Sequence, residues 1–185
     1  MKVYLDNAAT TKPSKAALNA MNEYAVEYYA NPSSLYTIGH LAKEKLEEAR
    51  ADIAAAIGAK PQEIYFTSGG SEADNQALVS SAMRGEKQGK KHIISTAFEH
   101  HAILHTLDSL KRQGFEITLL PVHEDGLVRP EEVAAAIRED TCLVSVMYAN
   151  NEIGTVQPIE EIGKICREKK VYFHTDAVQA VGHLR

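Results

Sequence analysis

Ile64-Tyr65-Phe66-Thr67-Ser68-Gly69-Gly70-Ser71-Glu72-Ala73-Asp74-Asn75 is the stretch from which the fold is read. The apolar run Ile64-Tyr65-Phe66 predicts a buried strand. Two glycines follow, and the polar–apolar pattern from Ser71 predicts a helix to about Arg84. A strand that turns through glycine into a helix aims free backbone N–H groups, and the positive end of the helix dipole, at one spot. Ser71 can cap that helix or contact an anion there. The loop is neither a Walker loop nor the dinucleotide fingerprint. A plain strand–turn–helix junction and an anion site therefore both stand open.

Outward from this stretch the same alternation repeats. Strands are expected at 63–67, 92–96, 116–121, 141–148 and 171–175, and helices at 71–84, 101–112, 130–138 and 159–168. Two further helices are expected earlier, at 14–29 and 38–57. Strand–helix alternation at this spacing predicts an α/β fold, a mostly parallel sheet with flanking helices, in one domain over 1–185. Ligands of such sheets bind beyond the carboxyl ends of the strands. That rule selects Ser68 to Ser71, Glu99-His100-His101, Asn150-Asn151-Glu152-Ile153-Gly154 and His174-Thr175-Asp176-Ala177-Val178-Gln179. An aromatic base, amides, a carboxylate and an anion nest on one sheet edge suit a flat heteroaromatic ligand carrying a phosphate.

Each of these residues also has a plainer reading. Asp176 can be a turn or cap residue, and His100 can satisfy a helix start. His101 and His105 have the i, i+4 spacing of metal ligands but no acidic partner, which favours a solvated helix face. Cys142 sits in the apolar run Thr141-Cys142-Leu143-Val144 and Cys166 in an amphipathic helix, so both read as core residues rather than nucleophiles. Two scattered cysteines make neither a disulfide framework nor a zinc site. The formal net charge of −5, with no basic stripe, argues against nucleic acid as partner. The sequence shows neither an apolar segment of bilayer length nor a signal-peptide pattern. The expected setting is the cytoplasm, without membrane attachment.

Taken together the segments resemble the cysteine desulfurases of the NifS/IscS type, pyridoxal-phosphate enzymes of fold type I in the class-V aminotransferase group. The resemblance is carried, in order, by Tyr4-Leu5-Asp6-Asn7-Ala8-Ala9-Thr10-Thr11, Asn31-Pro32-Ser33-Ser34, Thr67 to Asn75, Glu99-His100, Asn150-Asn151-Glu152-Ile153-Gly154 and Asp176-Ala177-Val178-Gln179. It implies that Gly70 and Ser71 bind the cofactor phosphate. His100 would stack on the pyridine ring and assist proton transfer. Asp176 would pair with the protonated ring nitrogen and Gln179 with the phenolic oxygen. Asn151 would hold the substrate carboxylate, with Asn7 and Ala8 on the substrate side. Tyr36 stands where many relatives carry His.

The implied reaction takes L-cysteine to L-alanine and leaves a persulfide on a protein cysteine. The sulfur then passes to an acceptor or scaffold protein, for iron–sulfur cluster assembly or tRNA thiolation. In the family the Schiff-base lysine, in a Ser-x-His-Lys motif, and the catalytic cysteine loop follow later than Arg185, as does the small C-terminal domain. The expectation is therefore the N-terminal part of the large domain, without covalent cofactor attachment and inactive alone, and paired as a homodimer or with a complementary C-terminal chain. A non-catalytic partner-binding module, or a selenocysteine lyase or aminotransferase of the same fold, are the alternatives.

Overall fold

A computed structural model describes residues 1–184. The chain divides into two compact units, Met1–Phe66 and Thr67–Arg185.

The first unit is helical. Helix α1, Lys15–Glu27, starts where the Ser14 hydroxyl accepts the Ala17 N–H at 3.1 Å. Helix α2, Thr37–Ile57, ends at Gly58, whose φ of 71° is open to glycine at little cost. Between them Asn31 turns the chain, its side chain accepting from Ser33 N at 2.9 Å. The turn packs closely on α2: a Cβ at Gly39 would lie 2.7 Å from Ser34 Cβ.

The second unit holds the sheet. Strands β1, His92–Thr96, β2, Glu116–Leu120, β3, Thr141–Ser145, and β4, Tyr172–His174, pair in parallel in the order β2-β1-β3-β4. Helices α3, Gly70–Glu86, α4, His101–Arg112, α5, Pro130–Ala136, and α6, Ile159–Glu168, connect or flank them. Because strand residues alternate faces, β1 sends Ile93 into one core and Ile94 into the other. The first core gathers Leu78 of α3 and Ile103, Leu107 and Leu110 of α4. The second gathers Val133 of α5 and Ile162 and Cys166 of α6. A sheet covered on both faces explains why every residue of β1 and β3 is buried.

One expected element is absent. Ile64-Tyr65-Phe66 forms no strand: a 3-10 turn, Pro61–Glu63, leads into extended backbone, with Tyr65 75% and Phe66 48% exposed. The Ile64 carbonyl accepts from Arg50 Nη1 at 2.6 Å, and the Arg50 guanidinium lies over the Phe66 ring. An apolar run becomes a strand only against a neighbouring strand, and none of the described residues pairs with this one. Two ends also shift. Helix α5 stops at Ala136 because Ile137 is already extended, and β3 gives way to irregular backbone after Ser145.

Candidate functional site

The carboxyl edge of the sheet gathers the four expected segments. The first is the start of α3. Glu72 reaches back and accepts from Ser68 N at 2.7 Å and Ser68 Oγ at 2.5 Å, and these bonds hold its carboxyl below the usual range. Gly69 precedes the helix and supplies no side-chain cap. Ser71 lies inside the first turn, so its hydroxyl is exposed rather than spent on capping. The N–H groups of the first turn and the dipole of a 17-residue helix therefore face outward together. A Cβ at Gly70 would lie 2.9 Å from Val178 Cγ2, so the helix start and the turn after β4 meet closely.

That turn carries Asp176. The residue is 8% exposed; its Oδ1 accepts from Val178 N at 3.0 Å and its carbonyl from Tyr148 N at 2.8 Å. Asp176 thus closes a turn and buries its carboxylate at the strand edge. Gln179 lies half-buried in the same turn.

The loops after β1 and β3 are tied by Asn150. Its Nδ2 donates to the Phe98 carbonyl at 3.0 Å, and its Oδ1 accepts from Glu152 N and Ile153 N at 2.8 and 2.9 Å. Beside it a cavity of about 230 Å³ is lined by His100, Asn151, Phe98, Glu99 and Glu152, among others. His100 is exposed at the start of α4, and its Nδ1 accepts from Ala102 N at 3.2 Å, which puts the proton of a neutral ring on Nε2. Asn7 and Ala8 belong to the first unit, in a turn where the Asp6 carbonyl accepts from Ala9 N and Thr10 N.

Sequence reasoning gave no role to the buried polar groups beneath this edge. Glu99 is 5% exposed; Oε1 accepts from Thr96 Oγ1 and Met147 N, while Oε2 is buried without a partner. Burial, only partly offset by those bonds, pushes its carboxyl up to about 7. Asp74 of α3 is buried too, and desolvation together with the charge of Asp176 pushes it up to about 6. His174 lies between Ser145 and Asp74, and burial lowers its ring below the usual range against the opposing pull of Asp176. The available signal was the spacing of His174 and Asp176: two apart at a strand end, they share a face.

The other sequence candidates fall elsewhere. His101 and His105 stack on the exposed side of α4 with ring centroids 5.6 Å apart. Cys142 donates to the His92 carbonyl inside the core, and burial pushes the Cys166 thiol up to about 11. No helix among the described residues is long and apolar enough to cross a membrane.

The Aminotransferase class-V family profile matches residues 3–185. The chain is 54% identical over 182 residues to a protein of Methanosarcina thermophila named cysteine desulfurase IscS, covering 98% of this chain and 45% of that one. A solved NifS-like protein superposes with a TM-score of 0.95 at 41% identity, covering 100% of this chain and 51% of its own. SspA, solved in complex with cysteine, superposes at 0.91 and 39% identity, covering 96% and 51%. The chain spans about half the length of the curated relatives it matches.

Proposed function

The chain belongs to the class-V aminotransferase family, and we propose that its sheet edge is the pyridoxal 5'-phosphate-binding part of a cysteine desulfurase's large domain. One observation carries the reading: the uncapped start of α3 abuts the turn that buries Asp176. A group with a phosphate at one end and a basic ring nitrogen at the other fits a pair made of an anion-binding helix end and a carboxylate. The chemistry of the residues present suits such a group. Ser71 has an exposed hydroxyl, and Gly70 leaves no side chain between the helix start and Val178.

In this reading Gly70 and Ser71 hold the phosphate and Asp176 the ring nitrogen, with Gln179 at the phenolic oxygen. His100 covers the ring face and moves a proton through Nε2, the nitrogen left free by its contact with Ala102 N. Asn151, beside His100 in the same cavity, binds the substrate carboxylate. When bound, the cofactor supplies an electron-withdrawing ring that acidifies the substrate's α-carbon.

The substrate is L-cysteine and the products are L-alanine and a persulfide on a protein thiol, delivered to an acceptor or iron–sulfur scaffold protein in the cytoplasm. Cys142 and Cys166, both buried with raised thiols, are poor candidates for that nucleophile. Exposed apolar side chains in the first unit, such as Tyr29, Leu35 and Tyr36, favour a covered state, as a homodimer or with a complementary chain.

The test measures alanine and sulfide together from L-cysteine and pyridoxal phosphate. The chain is assayed alone and with a polypeptide supplying the family's Ser-x-His-Lys and cysteine-loop segments. Equal amounts of both products from the combination, none above the cofactor background from the chain alone, and loss with Asp176→Asn are expected. Full turnover by the Asp176→Asn combination would overturn the assignment.

A further inference from the structure

Strands β1 and β3 are neighbours, yet the chain leaves them on opposite sides, from β1 to β2 and from β3 to β4. A parallel sheet opens a crevice at the carboxyl end of such a switch point. Here β1 pairs with β3 as far as Ile94 and Val144. Each chain then follows its outer neighbour. Ala97 N donates to the Leu120 carbonyl of β2, while Val146 N and Tyr148 N donate to the carbonyls of His174 and Asp176. The loop that carries His100 and the loop that carries Asn151 stand on either side of this opening, and both line the cavity there.

Side chains tie the two loops together. Glu99 Oε1 accepts from Met147 N at 2.9 Å, and Asn150 Nδ2 donates to the Phe98 carbonyl at 3.0 Å. Thr96 Oγ1, at the end of β1, donates to the same Glu99 oxygen at 2.7 Å and holds the carboxyl in place. Asn150 also organises its own turn, through Glu152 N and Ile153 N. Glu99 makes the tie next to His100, and it does so in the interior. Glu99 is 5% exposed and Met147 2%, so the N–H and its acceptor are both shut off from water. Burial pushes the carboxyl up to about 7, and Oε2 has no partner. A buried carboxyl with one oxygen unpaired disfavours folding, which points to a use other than stability.

We propose that Glu99 is a positioning residue: by holding the Met147 N–H across the switch point it sets the place of His100 against a ligand's ring. The inference rests on the reading of His100 given above. Without the Oε1 acceptor the buried Met147 N–H is unpaired, and the loop shifts until water reaches it. His100 then loses its contact with the ring. The phosphate contacts at Gly70 and Ser71 belong to another element, α3, and remain.

Two probes separate these contributions in the 185-residue chain. Inorganic phosphate reads the start of α3 alone, and pyridoxine 5'-phosphate adds the ring contacts. The ratio of their affinities is measured below the pH at which Glu99 ionises, so that Gln matches its charge. His100→Ala should lower the ratio about three- to tenfold, the worth of one stacked ring. Glu99→Met fills the same space without an acceptor and should lower it by a similar factor. Adding His100→Ala to Glu99→Met should lower it little further, because the contact is already lost. Glu99→Gln, whose Oε1 still accepts from Met147 N, should keep the wild-type ratio. Phosphate affinity should stay the same in every variant.

A wild-type chain that binds neither probe, or a ratio that His100→Ala leaves unchanged, overturns the reading of the site and this inference with it. A ratio lowered by His100→Ala but not by Glu99→Met overturns the inference alone. So do full additivity in the double variant, an equal loss in Glu99→Gln, and a Glu99→Met chain that no longer binds phosphate, since each marks a packing or folding defect.

Discussion

Replacing Glu99 by Gln should flatten the pH dependence of stability. Glu99 is 5% exposed, and its Oε2 has no partner. Burial moves its carboxyl from an ordinary 4.5 to about 7 in the folded chain. Between those two values the folded protein keeps a proton that the unfolded chain has released, so stability falls as pH rises through the window. Two and a half pH units, at about 1.4 kcal/mol each, give about 3 kcal/mol as the most that this one group removes by pH 8. Glu99→Gln is neutral throughout. Its Oε1 can still accept from Thr96 Oγ1 and Met147 N, while the amide nitrogen lacks an acceptor, at about 1 kcal/mol at every pH. The variant should therefore be slightly less stable than wild type near pH 5 and about 2 kcal/mol more stable near pH 8. Asp74, raised from 3.8 to about 6, leaves a residual slope of the same sign at lower pH. Urea unfolding followed by circular dichroism from pH 5 to 8, at constant ionic strength, reads both. An unchanged difference between the two pH values in Glu99→Gln would refute the reasoning, since it would mean that Glu99 is ionised in the fold at no cost.

Gly85→Ala should destabilise the chain by about 1–3 kcal/mol although alanine favours helix. Its Cβ would lie 2.8 Å from Cys142 Sγ and 3.0 Å from the Lys90 carbonyl, deep under α3, and a lowered urea midpoint checks it. Cys142 and Cys166, buried and with thiols held above the usual range, should react with a disulfide reagent only as fast as the chain opens. Labelling of either at the rate of a free thiol in the native protein would show that its core is not closed.

Much of the second unit could be read from residue order because its signals are local. Helices α4 and α6 begin and end where periodicity placed them, since one apolar stripe, Ile103, Leu107 and Leu110 in α4, packs against one sheet face. The ends of β1, β2 and β4 were legible to within a residue for the same reason, and with them the edge that holds Asp176 and His100, whereas β3 stops three residues before its expected end. Ile64-Tyr65-Phe66 failed because its apolar signal is local while a strand's hydrogen bonds are not. The buried network failed on distance. Asp74 and His174 stand far apart in the chain, as do Glu99 and Met147, and neither pairing has a period. Asn150 looked like one amide among several, and only the fold shows it bridging two loops.

The most direct test of the sheet edge as a cofactor site is an amide-resolved NMR titration of the chain with pyridoxine 5'-phosphate. Saturable shifts should gather at Gly70, Ser71 and Glu72 and in the turn from Asp176 to Gln179, and Asp176→Asn should weaken them. Shifts that never saturate, or that gather away from these residues on α5 and α6, would contradict it.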